Sequence, residues 1–147
     1  MTPLRSAENP LIGTWRLKSL VREVAATGER YLEFGEHPQG FIGYSGDGRM
    51  YAILMADERI QPKGEPLADD ERAQLHRSMI AYAGTYTVDG GKVVHHVEVS
   101  WNGLRNGTDQ VRFFKIDGDT LTITTAPISS PVDGRPGVGI LTWERVG

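Results

Sequence analysis

The segment KVVHHVEVSW, residues 92–101, sets two histidines and a glutamate among valines. Imidazole titrates near neutral pH and is the commonest metal ligand, so the pair invites a catalytic or a metal-binding reading. Strand geometry separates the two rings, because successive side chains on an extended chain point to opposite faces. Val93, His95, Val97, Val99 and Trp101 share the apolar face, and Lys92, Val94, His96, Glu98 and Ser100 share the other. The spacing predicts His95 inside and His96 outside. Zinc without thiolates needs three or four converging His, Asp or Glu ligands. The chain has no cysteine, its adjacent histidines diverge, and His37 and His76 fall in a loop and on a helix face. We therefore expect no metal site and no cofactor. A Ser–His–carboxylate triad would have to join Ser19 and His95 to an inward carboxylate, and alternation assigns none. GRPGVG is glycine-rich but opens no helix, so it reads as a turn and not as a phosphate cradle.

A second chemical group lies in QVRFFKI, residues 110–116. Its two faces are almost equally apolar. We place Gln110, Arg112, Phe114 and Ile116 inward, because the other choice buries Lys115. An inward arginine without a partner costs several kcal/mol, so Arg112 is either bonded within the protein or waiting for an anionic group. His95 poses the same choice between a satisfied core histidine and a donor or proton shuttle to a ligand. Tyr44 and Tyr86 also fall on inward faces. With Arg112, His95 and Gln110 they make the candidate ligand-binding set, an apolar pocket with a few convergent polar groups; tyrosines are also ordinary barrel filler.

These residues need strands to position them, and the chain supplies many. LIGTWRLKSLV, RYLEF, GFIGYS, RMYAILM, GTYTV, KVVHHVEVSW, QVRFFKI, DTLTITTA and GVGILTWERV are separated by Gly/Asp turns such as GDG and DGD, the pattern of an antiparallel meander. Trp15, Leu17 and Ser19, then Met50, Ala52 and Leu54, are among the residues predicted to face inward. Between Ala68 and Tyr82 the period changes to helical, with Leu75, Met79 and Tyr82 in register and Asp69, Asp70 and Glu71 suited to a helix N-terminus. The expected fold is all-β, an antiparallel up-and-down barrel of about eight to ten strands with one helix near a barrel mouth, because closure removes unpaired edges. A two-sheet sandwich is the alternative.

The 147 residues match one domain, expected over 11–147 behind a flexible tail at 1–10. Net charge is −3 and the basic residues are scattered, which argues against nucleic acid as a partner. The amino end lacks the apolar run of a signal peptide, and no segment is long enough to cross a bilayer, so a soluble cytoplasmic protein without membrane contact is expected.

LIGTWRL at the start and WER at the end resemble the lipocalin and calycin barrels. In those barrels the first strand carries Gly-x-Trp and the last an arginine that covers it. The resemblance implies Trp15 against Arg145 at the closed end. GFIGYSGDGRMYAILM, AYAGTYTVDG, VHHVEVSWN, GTDQVRFFKIDGDTLTITTAP and LTWERV are similar to the bacterial lipocalin-like domain family, from about Leu11 to Val146. That family's pattern implies an aromatic residue in the loop after SWN, where this chain carries Arg105. The disulfide and the Thr-Asp-Tyr segment of secreted lipocalins are absent, so extracellular lipid transport is not implied.

The resulting expectation is a barrel that binds a small, largely apolar organic molecule, with a carboxylate or carbonyl group for the polar anchors. The alternative is a cofactor-free isomerase, cyclase or hydratase acting on such a molecule, with Arg112 polarising a carbonyl and His95 or Tyr86 moving a proton. A filled barrel serving only association, such as a homodimer, is a third. An open lumen separates the first two from the third.

Overall fold

The structure, a computed structural model, describes residues 9–130 and 133–147. Among the described residues, ten strands form one antiparallel sheet: β1 (Gly13–Val24), β2 (Arg30–Leu32), β3 (Gln39–Tyr44), β4 (Arg49–Met55), β5 (Met79–Asp89), β6 (Lys92–Ser100), β7 (Asp109–Asp117), β8 (Thr120–Thr125), β9 (Ile128–Ser129) and β10 (Pro136–Arg145). Neighbours run β1-β3-β4-β5-β6-β7-β8-β10, and β10 returns to β1 with Trp15 opposite Arg145, so the eight long strands close a barrel. The GDG turn joins β3 to β4 as expected, with Gly48 at φ 90°, a value that disfavours any side chain. Of the tail expected at 1–10, residues 1–8 lie outside the described residues. Asn9 is buried and its amide donates to the Tyr86 hydroxyl at 2.9 Å.

Alternation sets most of the core. Trp15 and Leu17, Met50, Ala52 and Leu54, Leu121 and Ile123, and Trp143 are buried. Two β-bulges break the pattern, since an extra residue reverses the facing of everything after it. The first lies between Leu17 and Ser19. Ser19, expected inside, gives way to Leu20, Arg22 and Val24 as the buried residues. The second lies where Ala83 and Gly84 face Val99 and Val97, so Glu98 is the extra residue. Val99, expected on the apolar inner face, is therefore 62% exposed. Gly84 allows this close crossing, because a Cβ there would meet the His96 carbonyl oxygen at 1.9 Å.

The helix α1 is shorter than the expected 68–82. It spans Asp69–Arg77, with its acidic residues in the first turn. Met79–Tyr82 belong instead to β5, paired with Leu54, Met55 and their neighbours on β4. The local period at Leu75, Met79 and Tyr82 lost to cross-strand pairing. Arg59 binds the end of the helix by donating to the Leu75 carbonyl at 2.9 Å and to Ser78 Oγ at 2.9 Å. The His76 and Trp101 rings lie 6.0 Å apart at this end of the barrel.

Candidate functional site

At the end where the barrel closes, Trp15 is fully buried under the Arg145 guanidinium, 4.1 Å from the ring centroid. Arg145 also donates to the carbonyls of Ile12 and Pro10 at 3.0 Å each. The hydroxyl of Tyr86 donates to the Ser45 carbonyl at 2.8 Å while accepting from Asn9. Tyr86 is thus bound into the barrel wall and does not line the lumen cavity. No helix is long and apolar enough to cross a membrane, and no cluster of three or more metal-ligating groups exists among the described residues.

The other half of the barrel is hollow. A cavity of about 440 Å³ reaches from Ile42, His95 and Trp143 up to Trp101, Leu104 and Arg105. Its volume falls within the roughly 300–1,000 Å³ of small-molecule sites. Aliphatic and aromatic walls dominate, and the polar groups come from a few positions.

His95 is 1% exposed on β6. Its Nε2 lies 2.6 Å from the Tyr44 hydroxyl and its Nδ1 lies 2.7 Å from the Tyr82 hydroxyl. His96, one residue on, faces outward, 2.8 Å from Asp109 and 3.1 Å from Thr87. The predicted facing of both histidines holds. Burial first, and then the nearby Arg112 charge, hold the His95 pKa well below its ordinary value. Burial likewise raises the Tyr44 phenol well above its own. Both groups are therefore neutral at pH 7.

Neutral burial of His95 has a measurable consequence. Its folded pKa is depressed, so below about pH 6.5 the unfolded chain binds a proton that the fold refuses. Its contribution is intact above that pH and is lost as pH falls. Relative to His95→Gln, the wild type should lose about 1.4 kcal/mol of stability per pH unit below about 6.5. Parallel urea titrations showing no such difference would mean that His95 is protonated inside the barrel.

Arg112 and Gln110 project into the cavity from β7, while Phe113 on the opposite face is 50% exposed. The chosen facing of this strand is therefore correct. Gln110 donates to Thr108 Oγ1 at 2.7 Å. Arg112 donates to the Val111 carbonyl at 3.1 Å, and no carboxylate pairs with it among the described residues. Arg105 joins it from a 3₁₀ turn, Gly103–Arg105, that follows β6. Burial and the Arg112 charge lower the pKa of Arg105, which marks two cations sharing one low-dielectric region.

The far wall holds a buried ion pair that alternation did not anticipate. Arg22 and Glu33 side chains are each 3% exposed, with Arg22 Nε 3.9 Å from Glu33 Oε2. Arg22 donates to the carbonyls of Ile128 and Arg135, and Ser130 donates to Glu33. An inward carboxylate does exist, contrary to the sequence expectation, but its oxygen already accepts from Ser130.

Of the five residues proposed from sequence, His95, Gln110 and Arg112 meet in the cavity, Tyr44 lies buried behind His95, and Tyr86 lies apart. Tyr82, Arg105, Arg22 and Glu33 were missed. Arg105 carried a signal, standing where the resemblance implied an aromatic. Tyr82 was hidden by its helical spacing, and Arg22 by the bulge before it.

An eight-strand closed barrel with an apolar lumen and polar groups at its wall defines a lipocalin-type architecture. Residues 12–146 match the family described as lipocalin-like domain, and the chain belongs to that family. The crystal structure of Echinococcus granulosus fatty-acid-binding protein 1 is similar over 92% of this chain and 97% of that one, at 15% identity and a TM-score of 0.41. No curated protein matches the sequence.

Proposed function

We propose that the protein binds a small, largely apolar organic acid in its lumen, with Arg112 and Arg105 holding the acid group. The observation that carries this reading is the pair of cavity-lining arginines without a carboxylate partner among the described residues. Two like charges in an apolar wall repel each other, and an anion between them removes that cost. A ligand carboxylate can accept charge-assisted bonds from both guanidinium groups. The hollow lumen also speaks against a barrel filled only to support association.

The cofactor-free isomerase, cyclase or hydratase reading has one observation in its favour, the hydrogen-bonded Tyr82–His95 pair in the cavity wall. It is less well supported, because burial keeps His95 from accepting a proton and Tyr44 from releasing one.

Calorimetry with phenylbutyrate and with the matching neutral alcohol, phenylbutanol, tests the acid site. Arg112→Met nearly conserves volume and removes charge. We expect it to weaken phenylbutyrate by about 1.5–3 kcal/mol, leave phenylbutanol unchanged, and preserve thermal stability. A loss of stability with no change in the preference for the acid would make Arg112 a structural residue.

A further inference from the structure

Tyr44, His95 and Tyr82 form a hydrogen-bonded chain, and proton accounting fixes its direction. A phenol carries one proton and a neutral imidazole carries one, so two bonds share three protons and one is left over. If Tyr82 donated to Nδ1, then Nε2–H would donate to Tyr44, and the Tyr44 proton would be left over. Tyr44 is 2% exposed, its hydroxyl meets only His95 among the described residues, and it does not line the lumen cavity. A buried donor without an acceptor is the costly outcome. In the opposite arrangement Tyr44 donates to Nε2, Nδ1–H donates to the Tyr82 oxygen, and the leftover proton belongs to Tyr82. Tyr82 does line the cavity, where its O–H can find an acceptor.

Resting on the organic-acid reading, we infer that Tyr82 is a specificity-determining donor aimed into the lumen by Tyr44 and His95, and that the ligand is an oxo acid whose carbonyl oxygen accepts from it. The arginines take the carboxylate and Tyr82 takes the neutral oxygen. The indole N–H of Trp143, a residue of the same cavity wall, also lacks an acceptor among the described residues. Its nitrogen has essentially no accessible surface, so the acceptors of a ligand fall to Tyr82 and the two arginines. A proton relay through the chain would leave Tyr44 as a buried phenolate. Tyr82 therefore orients the carbonyl and keeps its own proton.

Two measurements test this. Nitrogen-15 spectra of the wild type at neutral pH report the His95 tautomer, expected to be protonated at Nδ1 and bare at Nε2; the reverse pattern overturns the inference. Calorimetry then compares benzoylpropionate, an aryl keto acid, with phenylbutyrate, which has a methylene in place of the ketone. The wild type should favour the keto acid by about three- to tenfold, and Tyr82→Phe should abolish the preference while still binding phenylbutyrate. Equal binding of the two acids to the wild type overturns the second acceptor and leaves the acid site standing. Failure of both acids to bind overturns the acid reading and this inference with it.

Discussion

Trp15→Ala is expected to cost about 3–5 kcal/mol, the usual range for truncating a fully buried aromatic side chain. Trp15 has no exposed surface, its indole N–H donates to the Leu11 carbonyl at 2.9 Å, and Arg145 covers its ring. Truncation would open a cavity where β1 meets β10, the seam that closes the barrel. It would also strip a cation–π contact worth about 0.5–2 kcal/mol, although Arg145 would keep its bonds to Ile12 and Pro10. Trp15→Phe retains a ring under Arg145 and should lose about half as much. Chemical denaturation of the three proteins gives the comparison. A near-neutral Trp15→Ala would mean that the first and last strands are not held together through this side chain.

The barrel was legible because period-2 alternation and Gly/Asp turns are local signals that the closed sheet also satisfies. His95 and His96 follow from alternation alone, and the β7 residues from alternation together with the cost of burying Lys115. The errors occur where a global constraint overrides that local rule. Bulges at Lys18 and Glu98 add one residue to strands of otherwise regular pattern, and no residue type in LKSLV or VEVSW announces them. Leu75, Met79 and Tyr82 satisfy a helical period, yet Met79 and Tyr82 earn more hydrogen bonds by pairing with β4. Two of these errors removed a site residue from view: the first bulge hid Arg22 and the helix boundary hid Tyr82.

The missed ion pair gives the second large effect. Arg22 ties β1 to the segment around β9 through the carbonyls of Ile128 and Arg135, and it faces Glu33, which follows β2. Replacing a buried pair by apolar groups is often neutral, whereas removing one partner strands the other charge. Arg22→Met should therefore cost about 3–5 kcal/mol at pH 8. Burial already holds the Glu33 carboxyl above its ordinary pKa, while Arg22 pulls the other way. Without Arg22 the folded value rises further above the unfolded one. The folded variant then takes up a proton that the unfolded chain does not. Its deficit should be largest above the folded pKa and shrink as pH falls toward about 4.5. The double variant Arg22→Met/Glu33→Leu removes both charges and should recover most of the loss at pH 8 without the pH dependence. Equilibrium unfolding of the wild type, both single variants and the double variant at pH 8 and pH 5 measures the coupling. A double variant as unstable as Arg22→Met alone would show that the carbonyl bonds of Arg22, and not its charge, hold this side of the cavity together.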